Sequence, residues 1–250
     1  MNTVDTIKNQ IIVQNDSGYR YSIEPFLLAD FVRLFPGQEV LDIGTGCGII
    51  SLLMVYREPE LKVTGIEIQD SAAANAEKNV TKNQMKIKII RGDFLNLKLA
   101  PKQFDLIVSN PPYRKVNSGH INPDKGKALA RHELKLSLSA MLDKTKPILK
   151  KGGLITLAYP PIRLQETLHE LGMRELFPSR VRFIHGNKNS EARIFLVEAI
   201  KQKKSDLIVD PPLYVYNKDG SYSKEMKLSL IHISAPTRPR LISYAVFCLK

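Results

Sequence analysis

Apolar residues fall along this chain in short blocks separated by longer amphipathic stretches. Runs such as Glu39-Val40-Leu41-Asp42-Ile43, Lys62-Val63-Thr64-Gly65-Ile66 and Ile107-Val108-Ser109 are rich in β-branched residues and close on Gly, Glu or Asn, the pattern of strands buried on both faces. The blocks predict strands over 39–43, 62–67, 87–90, 104–109, 153–158, 181–185 and 193–200. Between them, apolar spacing of three and four predicts helices near 24–35, 48–57, 70–83, 132–148 and 162–171. Strand and helix alternate, so the expected fold is α/β, a mostly parallel sheet with helices on both faces. In open sheets of this kind ligands bind outside the carboxyl ends of the strands, which is where chemistry is to be sought.

The fourth predicted strand ends in Asn110-Pro111-Pro112-Tyr113. An Asn side-chain oxygen and the Pro111 carbonyl both accept hydrogen bonds, while the prolines stiffen the backbone and remove two N–H donors. Tyr113 adds a flat face for stacking. Nothing in the tetrapeptide activates water or a metal, so it suits transfer of a group onto an amine or amide nitrogen. Taken alone it is equally a strand followed by a rigid turn.

Three upstream features change that balance. The first predicted strand runs through Asp42 into Gly44-Thr45-Gly46-Cys47-Gly48 and then a helix, so a ligand can approach the backbone beside a helix N-terminus. The second strand ends in Glu67, about the 20-residue spacing at which a carboxylate meets ribose hydroxyls in nucleotide-binding folds. The third is followed by Asp93 and Phe94, an acid and an aromatic suited to an adenine amine and ring. Separately, Glu67 also reads as a solvated strand end and Asp93 as a turn or cap. All four features would nevertheless converge on one sheet edge. The glycine pattern is G-x-G-x-G, shorter than the dinucleotide fingerprint, which disfavours a nicotinamide cofactor.

On these motifs the chain resembles the Rossmann-like class I methyltransferases that use S-adenosyl-L-methionine and carry an (Asn/Asp)-Pro-Pro-(Tyr/Phe) motif. The resemblance implies a seven-stranded sheet with the last strand antiparallel, formed here by the hairpin over 181–200. It implies that Asp42, Gly44, Thr45, Gly46 and Gly48 surround the methionine part of the cofactor. Glu67 would bind the ribose with Ile68 beside it, and Asp93 with Phe94 the adenine. Asn110 through Tyr113 would be catalytic, with Asn110 also against the cofactor.

The segment Tyr19-Arg20-Tyr21-Ser22-Ile23-Glu24-Pro25-Phe26, with Gly65-Ile66-Glu67-Ile68-Gln69, the Asn79 and Asn83 pair, Ala130-Arg131-His132-Glu133 and Phe195-Leu196-Val197-Glu198-Ala199, is similar to the bacterial tRNA1(Val) (adenine(37)-N6)-methyltransferases. That resemblance runs to about Lys227 and implies methylation of an adenine amine in tRNA. Family members usually carry Asp where Glu24 stands, and Glu24 is given no direct role. His132 is not needed as a base, because methylation of an adenine amine requires no prior deprotonation.

Charge and length fit this expectation. The 250 residues, 43% hydrophobic, suffice for one substantial α/β core. The net charge of +12 favours a polyanionic partner through counterion release. Removing the atypical end, with Arg238, Arg240 and Lys250 and no acid, leaves +9. Arg114, Lys115, Lys125 and Lys127 on the loop after the motif, and Arg180 and Arg182 on the last hairpin, are the expected phosphate contacts. Two cysteines give neither a disulfide framework nor metal spacing, and no apolar run approaches membrane-spanning length. A cytoplasmic enzyme, assumed monomeric, without metal and without membrane attachment, is expected.

The expected organisation is a cofactor-closing segment over 1–36, the methyltransferase domain over 37–200, an extended tail over 201–227 and an atypical end over 228–250. The tail contains Asp210-Pro211-Pro212-Leu213-Tyr214, a near copy of the motif with no glycine turn before it. The end resembles translated sequencing-adapter read-through and is expected to carry no function and to pack poorly. Other substrates remain open. They include a guanine amine in ribosomal RNA and a glutamine amide in release factors, whose enzymes usually carry a helical domain where only about 35 residues stand here. A noncatalytic factor that binds cofactor and RNA is the reading from a different class.

Overall fold

Seven of the predicted apolar blocks become the central strands of one sheet. The computed structural model describes residues 2–7, 10–15, 23–111, 137–204 and 206–232. Strands β3 (Glu39–Ile43), β4 (Lys62–Glu67), β5 (Ile87–Arg91), β6 (Phe104–Ser109), β7 (Leu149–Tyr159), β8 (Leu176–His185) and β9 (Ala192–Lys201) lie in the order β8-β9-β7-β6-β3-β4-β5. Only β9 runs antiparallel to its neighbours β7 and β8. The order reverses between β3 and β6, which pair in parallel with Ile43 opposite Ser109. Such a reversal opens the crevice in which ligands of doubly wound folds sit.

Helices cover both faces. On one face, α1 (Glu24–Phe31) and α2 (Ile49–Arg57) bury Phe26, Leu28, Leu52 and Met54 against Val40, Leu106 and Val108, and α3 (Asp70–Lys82) joins them through Val80. On the other, α4 (Leu138–Ile148) and α5 (Leu164–Met173) pack Met141, Leu142 and Leu171 against Leu41, Ile107, Leu157 and Phe195. Successive strand residues point to opposite faces, so one apolar run feeds both cores.

The ends of several elements differ from expectation for local reasons. Helix α1 stops at Phe31 because Val32 turns extended, with ψ 143°. Helix α4 begins after Ser137, whose hydroxyl accepts from the Ala140 amide at 3.2 Å as an N-cap, while residues 132–136 lie outside the described residues. Strand β8 starts at Leu176, not 181, because the pairing with β9 shifts register between Pro178 and Arg180 and so accommodates the proline.

Five elements were not expected. An antiparallel hairpin of β1 (Asn2–Ile7) and β2 (Gln10–Asn15) lies against α3. Two short strands in the tail, β10 (Ile208–Val209) and β11 (Leu213–Tyr214), each add in parallel to β8. Helix α6 (Lys224–His232) then returns to α1, where the buried Ser229 hydroxyl donates to Asp30 Oδ2 at 2.6 Å. The helix crosses the expected boundary at 228 with Leu228 exposed and Ser229 3% exposed, so the poor packing expected of this end does not extend to its first residues. Phe247 and Leu249 lie outside the described residues.

A buried carboxylate joins these layers. Glu198 on β9 has a fully buried side chain and accepts from Arg33 Nε at 3.0 Å and from the Ser179 hydroxyl at 2.8 Å. Arg180 stands 4.0 Å from the same carboxylate. Removing it leaves Arg180 and Ser179 short of a partner in a dry place, whereas Arg33 is half exposed and recovers solvation. Glu198→Ala is therefore expected to lower the unfolding free energy by about 2–3 kcal/mol. Urea denaturation measures it, and Glu198→Gln is expected to lose less than half as much.

Candidate active site

The site begins where β3 ends. Gly44 and Thr45 turn back and donate their amides to the Ile66 carbonyl at 2.9 and 3.0 Å, tying the turn to the end of β4. The Gly46 amide donates to Glu67 Oε2 at 2.9 Å, and the Gln69 amide to Glu67 Oε1 at 2.8 Å. Gly48 occupies the left-handed region at φ 84°, which favours glycine, and a Cβ there would also come 3.3 Å from the Ala76 Cβ and press on α3. A Cβ added at Gly44 or Gly46 would meet no atom of the described residues within 4 Å. The turn is thus closed on the sheet side and open on the other, beside the N-terminus of α2.

Asp42 lies under this turn, fully buried. Its Oδ2 accepts from the Thr45 and Ser51 hydroxyls, each at 2.7 Å, while Oδ1 has no hydrogen-bond partner among the described residues. Burial pushes the carboxyl up from 3.8 to about 6, against the downward pull of the two hydroxyls and with a further rise from the Glu67 charge. Asn79 on α3 supports the turn from outside, its Nδ2 donating to the Cys47 carbonyl at 2.9 Å.

Asn110 follows β6 directly, one residue past the pair of Ser109 and Ile43, and the Ser109 hydroxyl donates to the Ile43 carbonyl at 2.9 Å. Asn110 therefore stands next to the glycine turn. Its Oδ1 is buried without a partner among the described residues, an acceptor held ready at a position where desolvation has already occurred. Pro111 is buried beside it, and Pro112 and Tyr113 lie outside the described residues. Adjacent strands are about 4.8 Å apart, so Asn110, Gly44, Glu67 and Asp93 span roughly 15 Å along the carboxyl edge of β6, β3, β4 and β5.

This arrangement can hold an extended ligand. The glycine turn offers open space, the buried Asp42 carboxylate beneath it can act on a cation through its charge and not by direct contact, and each Glu67 oxygen has accepting capacity left for a diol. Ile68, 37% exposed after Glu67, presents an apolar surface for a base. Among the described residues no cluster of His, Cys, Asp or Glu is arranged to hold a metal ion, and no helix is long and apolar enough to cross a membrane.

The methyltransferase small domain family matches residues 24–177 of this chain. A tRNA1(Val) (adenine(37)-N6)-methyltransferase of Porphyromonas gingivalis is 33% identical over 199 residues, covering 75% of this chain and 76% of that protein. The chain belongs to this methyltransferase family. A protein of the same description from Shewanella woodyi is 28% identical over 232 residues, covering 88% of this chain and 94% of its own. A predicted O-methyltransferase from Agrobacterium tumefaciens shares the class I methyltransferase fold, with a TM-score of 0.65 over 87% of this chain and 99% of that one at 18% identity.

Several expected site residues are placed otherwise by the methyltransferase structure. Arg180 is not available to phosphate: its guanidinium lies 3.9 Å over the Phe31 ring, donates to the Phe31 carbonyl, and faces Glu198 and Asp210. Arg182 donates to the Pro211 carbonyl at 3.0 Å and to Glu225. Both brace the tail against β8, so the near-copy motif at Asp210 is structural, with Leu213 buried in the core. Phe94 is a core side chain, 4% exposed, and not an open stacking face. Asp93 also caps its own turn, accepting from the Leu95 amide at 3.0 Å and from Asn96 Nδ2 at 3.1 Å, which leaves each oxygen one further lone pair. Arg114, Lys115, Lys125, Lys127 and His132 lie outside the described residues. Ser51 was missed as a supporting residue. Its signal was a lone hydroxyl inside the apolar run Ile49-Ile50-Ser51-Leu52-Leu53.

Asp42 gives a pH-dependent prediction. Its folded pKa lies above the unfolded value, so the native chain binds the extra proton between about pH 4 and 6. Stability from this group is greatest below that window and falls as pH rises through about 6. Asp42→Asn removes the effect, and the variant is expected to gain up to about 3 kcal/mol on wild type between pH 4 and 7. Denaturant titrations of both proteins across that range measure it, and a constant difference would contradict it.

Proposed function

We propose that this chain transfers the methyl group of S-adenosyl-L-methionine to the exocyclic amine of an adenine in tRNA, adenine-37 of a valine tRNA. The observation that carries the reading is the orphaned Oδ1 of Asn110, buried beside an open glycine turn at the carboxyl edge of the sheet. Its kinship with tRNA1(Val) (adenine(37)-N6)-methyltransferases supplies the substrate, and the net charge of +12 accords with it.

The cofactor supplies an electrophilic methyl on a sulfonium. In this reading the Asp42 carboxylate favours the ligand's positive charge, the glycine turn admits it, Glu67 accepts from the ribose hydroxyls, and Ile68 lies against the base. Asp93 contributes through the accepting capacity its cap leaves. Asn110 Oδ1 and the Pro111 carbonyl accept the two amine hydrogens, which draws the nitrogen lone pair out of conjugation and toward the methyl group. As the N–C bond forms the C–S bond breaks, sulfur keeps the electron pair, and the nitrogen gives up one proton to solvent. Pro112 rigidifies the motif and Tyr113 stacks on an adenine extruded from the anticodon loop. Arg114, Lys115, Lys125 and Lys127 contact phosphates on either side of it.

Residues 37–200 form the methyltransferase unit in this reading, 1–36 closes the cofactor side, and 201–227 braces the sheet. An enzyme acting on tRNA works in the cytoplasm. The kinetic test separates Asn110's role from cofactor binding. Asn110→Ala is expected to lower turnover on total tRNA at least 100-fold, the scale of a lost transition-state hydrogen bond, while cofactor affinity by calorimetry stays within about threefold. Label transferred from the cofactor to ribosomal RNA or release factor instead of tRNA would overturn the substrate.

A further inference from the structure

The tail builds a compact aromatic turn that the catalytic reading does not use. Tyr216 and Tyr222 face each other across an isolated antiparallel bridge, their rings stacked at 5.4 Å and 13°. The turn between them is rigid. Asn217 donates its amide to the Ser221 carbonyl at 2.8 Å, Asp219 Oδ1 accepts from the Ser221 amide and hydroxyl, and Gly220 takes φ 81°. It is anchored to the sheet by the Val215 and Tyr216 amides, which donate to the His185 and Gly186 carbonyls at 2.9 and 2.8 Å. Yet the tyrosines remain 42% and 41% exposed. The two rings face each other, and both side chains remain partly open to solvent.

The position and charge of this turn point to an occupant. It follows β11, which pairs with the last residues of β8, so it stands on the same carboxyl edge as Asn110. Four strand spacings separate β11 from β6, about 19 Å. Stacked nucleotides advance 3.4 Å along a strand, so about six nucleotides span that gap, fewer if extended. Around the turn, Lys188, Arg193 and Lys218 have no acidic partner among the described residues, whereas the neighbouring Glu225 is already paired with Arg182. A preformed aromatic stack with unpaired cations is the recognition chemistry of single-stranded nucleic acid.

We propose that the Tyr216–Tyr222 turn is a second RNA contact, where an unpaired nucleotide away from the target adenine stacks on an outer tyrosine face and Lys188, Arg193 and Lys218 hold its phosphates. The inference rests on the tRNA reading above. It gives the tail a role in affinity that is separate from chemistry.

The test is steady-state kinetics on tRNA with the full chain, beside binding of a fluorescent single-stranded oligoribonucleotide of anticodon-loop sequence. Tyr216→Ala with Tyr222→Ala is expected to raise KM for tRNA about tenfold, the scale of one lost stacking contact, with kcat within twofold. Tyr216→Phe with Tyr222→Phe keeps the rings and is expected to restore KM. Because the alanine pair removes buried contact as well, Lys188→Gln with Arg193→Gln and Lys218→Gln serves as a surface variant. It is expected to flatten the slope of log KM against log salt by about 2. A folded alanine variant with unchanged KM, or an unchanged salt slope in the surface variant, overturns the proposal. Wild-type chain that binds the oligonucleotide through the tyrosines but methylates no tRNA would instead overturn the substrate reading and keep the contact.

Discussion

The end of β4 is the constraint on which the site depends. One carbonyl, that of Ile66, takes the amides of Gly44 and Thr45, and the next side chain, Glu67, takes the amide of Gly46. Three consecutive donors of the turn after β3 are thereby fixed by two consecutive residues of the neighbouring strand. The turn cannot rise without breaking those bonds, and the Asp42 carboxylate beneath it cannot reach water. Close packing repeats the constraint from the other side, since a Cβ at Gly65 would come within 3.0 Å of the Thr45 side chain. The open space above the glycines is therefore preformed, and Asn110 meets it because β6 is hydrogen-bonded to β3.

A second constraint works at a distance. The tail adds β10 and β11 to the free edge of β8, and α6 returns to α1, so the first and last described helical elements are in contact. Arg180 and Arg182 serve this closure by bridging β8 to Phe31, Asp210, Pro211 and Glu225. An exposed, unpaired edge strand invites association with other chains, and the tail covers the upper part of this one. The same closure carries the aromatic turn to the carboxyl edge.

Much of this was legible in the sequence, and the exceptions have physical causes. Strands 39–43, 62–67 and 104–109 match their observed limits because a strand buried on both faces is an unbroken apolar run with sharp polar ends. The limits of β8 were not legible, because Pro178 argues against a strand until the register shift beside it is seen. The Rossmann-like order followed from resemblance, and the convergence of Asp42, Gly44, Glu67 and Asn110 followed from placing each at a strand end. Sequence could not say that Arg180 and Arg182 would be consumed by internal partners. A basic residue in a strand has the same letter whether it faces a phosphate or a buried glutamate 18 residues further on. Phe94 failed for a related reason, since an aromatic after a strand serves the core as readily as a ligand.

In the proposed function, the buried Asn110 acceptor directs a methyl group onto an adenine amine in tRNA. The most direct measurement is mass spectrometry of nuclease fragments from unmodified valine tRNA incubated with the purified chain and S-adenosyl-L-methionine. One added methyl is expected, recovered as N6-methyladenosine in the fragment that contains position 37. A methyl on guanosine, on another position of the RNA, or on no nucleoside of that tRNA would contradict it.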